Sequence, residues 1–312
     1  MRAVTISDGE IVVAEREDPC AGAGEVLVRV RGAGLNGADM MQRRGLYPPP
    51  PGIPADIPGM ELAGEVAALG DGATRFAVGD RVMAIVGGAG QAELAVVHER
   101  QLMPVPAALD WGAAGGLPET FTTAHDALFT QAGLASGERV LVHGGAGGVG
   151  TAAIQLATVA GARVTATVRD EACRGAVAEL GATVIAPEDF AGAGPYDVIL
   201  ELVGAPNMQA NVAALATGGR ICVIGVGAGA KFELNMLALM GARGRIHGST
   251  LRPRPLEEKA LTARALERDV LPNFERGLLE VPVAAALALD EAPRAYDLFA
   301  AGGKLGKIVL TP

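Results

Sequence analysis

A chain of 312 residues has room for about two domains. Half of it is hydrophobic (50%) and 20% is charged, the balance of a globular protein with a large core; aromatics are only 4%, so Ala, Val and Leu must fill that core. The net charge of −9 and pI of about 5.1 argue against a nucleic-acid surface, and no local run of Lys or Arg reverses this.

In chain order, the first hundred residues read as β-rich. Strands are expected at Ala3–Thr5, Glu10–Ala14, Glu25–Arg31, Leu62–Leu69 and Arg81–Ile85, divided by Gly, Pro and Asp turns. A helical stretch, Gly37 to Gly45, leads into Tyr47 and four consecutive prolines, Pro48 to Pro51. Proline lacks the N–H and fixes φ, so a helix is excluded; an extended, stiff arm that holds Tyr47 at low entropy cost and an ordinary surface turn are the two readings open on these residues alone.

From about residue 120 short apolar runs alternate with helical segments. The runs are Arg139–His143, Arg163–Val168, Thr183–Ala186, Asp197–Val203, Arg220–Gly225 and Arg245–Leu251; helices are expected near 148–160, 171–180, 206–216, 233–241 and 256–276. Such alternation implies a parallel sheet covered on both faces. The last thirty or so residues return to a β texture, ending Gly306-Lys307-Ile308-Val309-Leu310. The fold class expected is therefore α/β, with a doubly wound parallel-sheet domain at 115–254 inserted into a β-rich domain formed by 1–114 and 255–312.

Residues 140–162 carry no Asp, Glu, Lys or Arg and are long enough to span a bilayer. Five glycines within seven residues, 144–150, would break such a helix, so no membrane role is expected. Cys20, Cys173 and Cys222 are far apart and form no C-x-x-C pair, so neither a disulfide framework nor a zinc cluster is expected. The opening M-R-A-V-T-I-S-D-G-E has no apolar leader with a cleavage site, which makes a reducing cytoplasm the expected compartment.

Gly145-Ala146-Gly147-Gly148-Val149-Gly150 fits G-x-G-x-x-G between a strand and a helix. The glycines allow a tight turn, close approach to a pyrophosphate and close helix–sheet contact, while the helix N-terminus offers free N–H groups to the anion. Dinucleotide binding is the expectation. Arg169, nineteen residues after Gly150, stands where the ribose selector belongs, with Arg174 about one helical turn further on. A basic selector suits the 2′-phosphate of NADPH; Asp170, next in the chain, keeps NADH open, and a merely solvated Arg169 is the bland alternative.

These features, together with A-G-L-N-G-A-D-M-M-Q-R-R-G-L-Y-P-P-P, L-P-E-T-F-T-T-A, H-G-S-T-L-R-P-R-P-L-E-E-K and L-G-K-I-V-L, resemble the medium-chain dehydrogenase/reductase superfamily over the whole chain. The likeness is greatest to its zinc-free quinone oxidoreductases, the zeta-crystallin-like branch. The resemblance implies a GroES-like catalytic domain carrying an inserted Rossmann-type domain. In zinc relatives a cysteine stands at the position of Asn36 and Gly-His-Glu at Gly59-Met60-Glu61; Asn36 and Met60 are poor zinc ligands, so no metal is expected. Without a Lewis acid, alcohol dehydrogenation is disfavoured, and hydride transfer from NADPH to a small quinone or enone remains. By resemblance Asn36, Asp39, Tyr47 and Thr123 line an apolar substrate cleft, with Tyr47 donating to the substrate oxygen and Thr123 touching nicotinamide. Asn36 and Asp39 as helix-start caps, and Thr123 as an ordinary cap, are the alternatives. Gly225, Gly227, Leu251 and Lys304 complete the expected cofactor-binding set. An enone or enoyl-thioester reductase and a non-catalytic dinucleotide-binding module are the rival functions. Relatives commonly pair through the edge strand of the nucleotide domain, and the Arg245–Leu251 edge makes a homodimer the expectation.

Overall fold

A computed structural model describes residues 1–312. The strands in chain order are β1 Arg2–Ser7, β2 Glu10–Glu15, β3 Glu25–Gly34, β4 Glu61–Leu69, β5 Arg81–Ile85, β6 Leu94–His98, β7 Met103–Pro104, β8 Arg139–Val142, β9 Arg163–Thr167, β10 Thr183–Ile185, β11 Tyr196–Glu201, β12 Leu215–Val223, β13 Arg245–Gly248, β14 Val283–Ala288 and β15 Lys307–Thr311. They fall into two compact units. The first holds Met1–Thr122, Leu251–Gly302 and Lys307–Pro312; the second holds Thr123–Thr250 and Gly303–Gly306. The divisions expected at 114/115 and 254/255 fall inside the helix Trp111–His125 and in the turn before the helix Leu256–Asp269.

In the first unit β1 and β2 form an antiparallel hairpin, and a seven-stranded sheet runs β14-β15-β3-β4-β5-β7 with β6 paired to β3. Alternate residues of β3, namely Val26, Val28 and Val30, point into a core shared with Leu62, Val66, Val82, Ala84 and Leu102. Gly64 permits the close crossing of β3 and β4, because a Cβ there would lie 2.1 Å from the Arg29 carbonyl. The closing segment is not all β. Between β14 and β15 the helix Ala292–Ala301 packs Ala292, Ala295 and Tyr296 against Val4, Leu287 and Leu310. The expected helix 256–276 is also broken: Leu256–Asp269 ends, and Leu271–Glu275 restarts with Pro272 in its first turn.

The second unit is a parallel sheet in the order β10-β9-β8-β11-β12-β13. The middles of its central strands, residues 140–142 of β8 and 198–200 of β11, are apolar and buried, as two-sided cover requires. The chain order reverses between β8 and β11, which puts the crevice of a doubly wound sheet at the carboxyl end of β8. That is where Gly144–Gly150 lies.

Candidate active site

In the second unit β8 ends at Val142, and the chain turns through Gly144 (φ +66°) into the helix Gly148–Val159. Two glycines are sterically obligatory. A Cβ on Gly145 would meet Ala166 at 2.9 Å, and one on Gly150 would meet the Gly144 carbonyl at 2.3 Å. The helix N-cap is Gly147, which has no side chain to cap the first turn, so those N–H groups are directed at an anion site. A dinucleotide pyrophosphate fits this cradle.

The neighbouring segments converge on it. Gly306 N–H donates to the Ala146 carbonyl at 2.8 Å, which places the stretch Gly303–Gly306, with Lys304, beside the loop. Lys304 Nζ lies 3.3 Å from the Gly306 carbonyl. At the end of β9, Arg169 is exposed, and Arg174 reaches back to donate to the Val168 carbonyl at 3.1 Å. Asp170 caps the helix Glu171–Glu179 by accepting from Ala172 N–H at 3.1 Å. Gly225, at the end of β12, leaves no room for a Cβ, which would lie 2.2 Å from the Leu202 carbonyl; Gly227 is exposed and unconfined. Thr123 is buried in the helix Trp111–His125 at the start of this unit, whereas Leu251 belongs to the first unit.

A polar network beneath the loop carried no motif. His143 is buried, with Nδ1 3.1 Å from Thr167 Oγ1 and Nε2 2.8 Å from Asn211 Oδ1. Because Asn211 donates its Nδ2 to Glu201 at 2.6 Å, its Oδ1 must accept, which assigns the proton to His143 Nε2. Burial holds the His143 pKa below its ordinary value, with the opposing effect of Glu201 coming second. Glu201, itself buried, accepts from Val203 and Gly204 N–H at 2.7 and 2.8 Å. The strand ends that frame the cradle are thus cross-tied by a neutral histidine.

In the first unit the expected substrate residues Asn36 and Asp39 come together with Glu61, of the Gly59-Met60-Glu61 stretch, and with Lys307, which nothing in the sequence linked to them. Asn36 Nδ2 donates to Glu61 Oε1 at 2.9 Å, and Asn36 Oδ1 accepts from Lys307 Nζ at 2.6 Å. Lys307 also donates to Glu61 Oε1 at 2.7 Å and to the Leu35 carbonyl at 2.7 Å, which uses all three of its N–H groups. Glu61 is fully buried and Lys307 3% exposed. Asp39 accepts from Asn36 N–H at 2.8 Å and Gly59 N–H at 3.1 Å, which includes the capping role, and burial pushes its carboxyl up to about 6. Tyr47 is half-buried on its arm, its ring covered by the Arg252 guanidinium at 4.9 Å. No group of three or more His, Cys, Asp or Glu side chains is placed to hold a metal ion.

Comparison with known proteins settles the relationship. The family model "Alcohol dehydrogenase GroES-like domain" matches residues 22–130, and "Zinc-binding dehydrogenase" matches residues 148–267. Rat (Rattus norvegicus) quinone oxidoreductase is 33% identical over 307 residues, covering 94% of this chain and 90% of the relative. The chain belongs to the medium-chain dehydrogenase/reductase superfamily, in its zinc-free quinone oxidoreductase branch. It is an oxidoreductase, with the GroES-like and Rossmann-type domains that the sequence implies. A spectinabilin polyketide synthase protein of Streptomyces orinoci is 34% identical over 299 residues, 92% of this chain but only 13% of that much longer protein. Among solved structures, a mycobacterial protein in complex with NADPH superposes with a TM-score of 0.87 at 26% identity, each chain covered completely.

Proposed function

We propose that this member of the branch transfers hydride from NADPH to a quinone or similar conjugated carbonyl, without zinc. The observation that carries the reading is the fate of the emptied metal position. Asn36 and Glu61 are both engaged by Lys307, so an ammonium of the chain itself supplies the buried positive charge there. With no Lewis acid to activate an alcohol, an acceptor that is already electron-poor is the matching substrate.

The bound dinucleotide supplies the hydride; the chain binds and orients. The first turn of Gly148–Val159 and the glycines before it receive the pyrophosphate, and Lys304 adds positive charge beside them. Arg169 receives the 2′-phosphate, with Arg174 behind it, while Asp170 is occupied as a helix cap. Tyr47 donates a hydrogen bond from its hydroxyl to the acceptor oxygen as negative charge develops, and solvent delivers the one proton that the product needs beside the hydride. Thr123 would contact the nicotinamide of the bound dinucleotide. The mycobacterial relative solved with NADPH supports the cofactor choice, and the relatives named quinone oxidoreductase support the acceptor class. A reducing cytoplasm and a homodimer complete the proposal.

The likeness to a polyketide synthase favours one second reading, reduction of an enoyl thioester. A panel of quinones, enones and enoyl-CoAs with NADPH and NADH separates the two, run in parallel on the parent and Arg169→Ala. Turnover confined to enoyl thioesters selects the second reading. A parent without preference between NADPH and NADH, unchanged by the substitution, removes Arg169 from the selector role. Elemental analysis showing stoichiometric zinc required for activity would sink the zinc-free reading.

A further inference from the structure

Arg252 is 2% exposed, yet its guanidinium is matched to no carboxylate. Nε donates to the Gly87 carbonyl at 2.7 Å, Nη1 to the Tyr47 carbonyl at 2.8 Å and Nη2 to Gln42 Oε1 at 2.6 Å. These acceptors come from three separate segments: the turn after β5, the proline arm and the helix Gly37–Arg43. Gln42 extends the grip, since its Nε2 donates to the Ala55 carbonyl at 3.0 Å. Arg252 therefore holds the arm at Tyr47 directly and, through Gln42, again at Ala55. The turn it touches is crowded from the other side as well, because a Cβ on Gly87 or Gly88 would press on Ile53 of the same arm.

Burying a guanidinium is costly, and burial is the first cause that lowers its pKa, Asp39 and Tyr47 opposing it. An apolar side chain would fill the same volume without that cost. What an apolar side chain would lack is a fork of donors fixed in one plane and a full positive charge over the Tyr47 ring. Both bear on the acceptor oxygen. The fork fixes where the phenol sits, and the cation withdraws density from the ring, so its O–H donates more strongly to an oxygen gaining negative charge.

We propose that Arg252 is a positioning residue for the reduction, which locks the Tyr47 arm and places a permanent cation behind the phenol. This rests on the hydride-transfer reading above. The experiment uses the full chain carrying Arg252→Met, Arg252→Lys, Gln42→Leu and Tyr47→Phe, singly and as the Arg252→Met/Tyr47→Phe pair. Three measurements are made: steady-state kinetics giving kcat and KM for a quinone, NADPH affinity by fluorescence, and amide hydrogen exchange across residues 44–57.

Arg252→Met is expected to lower kcat about tenfold, with NADPH affinity within about twofold of the parent and faster exchange along the arm. Arg252→Lys, which keeps the charge and loses the fork, falls between the two. On the Tyr47→Phe background the Arg252 change adds less than about threefold, because the group it acts through is already gone. A general loss of stability would not produce that non-additivity. Should Arg252→Met fail to fold, Arg252→Lys and Gln42→Leu carry the test, the latter removing one fork acceptor and the tie to Ala55. An unchanged kcat in the folded variants, or losses that multiply with Tyr47→Phe, overturns the proposal. A parent inactive on every acceptor refutes the reduction reading instead. Exchange along the arm then decides the clamp alone: faster exchange in Arg252→Met upholds it and unchanged exchange ends it.

Discussion

Asp39 and Lys307 show how single buried charges shape this protein. The Asp39 carboxyl is wholly enclosed and is pushed up to about 6 from its ordinary 3.8, so the folded state binds this proton more tightly than the unfolded chain does. Its contribution to stability is therefore full below about pH 4 and is lost as the pH rises through 6. The loss amounts to about 3 kcal/mol, at 1.36 kcal/mol per pKa unit. The same linkage applies to His143 at higher pH: because burial lowers its pKa, the unfolded chain binds this proton more readily than the folded one, so acidification below the ordinary histidine range costs stability. Subtracting the stability-versus-pH curve of Asp39→Asn from that of the parent isolates the Asp39 part. A difference flat between pH 4 and 6.5 would contradict the assignment. Lys307 gives a second prediction at this scale. Lys307→Met leaves Glu61 buried without its cation, which should cost about 3–5 kcal/mol in urea denaturation. The Lys307→Met/Glu61→Leu pair should recover part of that loss, and a double variant no more stable than the single one would show that the pair is not coupled.

At the scale of the element, the phosphate loop separates glycines that shape the turn from those that admit the ligand. A Cβ on Gly150 meets the Gly144 carbonyl at 2.3 Å, whereas one on Gly147 stands 3.4 Å from the same atom. Gly150→Ala should therefore lower both the melting temperature and NADPH affinity. Gly147→Ala should leave the melting temperature nearly unchanged while lowering affinity about tenfold, a loss of about 1.4 kcal/mol. Fluorescence titration beside thermal unfolding reads both, and unaltered affinity in Gly147→Ala would show that the ligand does not approach that backbone. Elements with a strong period or a punctuating residue were legible in the sequence: Arg81–Ile85 has the bounds expected, and the Rossmann-type strands end within a few residues of expectation. The helix Ala292–Ala301 was missed although Ala292, Ala295 and Tyr296 stand at helical spacing, because it is short and lies between Val283–Ala288 and Lys307–Thr311, whose β texture dominated the reading of the segment. The helix Trp111–His125, with Pro118 inside it, is read as punctuation by any local rule. In the site, Asp39 was placed by the start of its helix. The partner of Asn36 was not, since Lys307 lies 271 residues away and no local pattern links them. Arg252 was present only as a letter of a quoted motif, and its role comes from three backbone and side-chain oxygens that folding brings to it.

For the molecule as a whole, the remaining question is what covers the free edge of the second unit. β13 ends the six-stranded sheet, so one side of its backbone N–H and C=O groups is left unpaired by the sheet. Beside it in sequence, the helix Met236–Ala242 buries none of its residues, and Met236, Leu237 and Met240 are 59%, 79% and 66% exposed. An apolar helix next to an open sheet edge is a poor surface for an isolated chain, and it is self-complementary when two copies meet about a two-fold axis. The occupant predicted is a second copy, with edge paired to edge and the apolar helices packed across the axis. Light scattering at micromolar concentration should give a mass near twice the 31.6 kDa of the chain. Leu237→Glu with Met240→Glu puts two charges on each copy of that surface, four about the axis, and should shift the mass to that of one chain without loss of secondary structure. Because both side chains are exposed, unfolding is not the expected cost of the substitution. A parent that is already monomeric, or a charged variant that remains dimeric, would place the contact elsewhere or remove it.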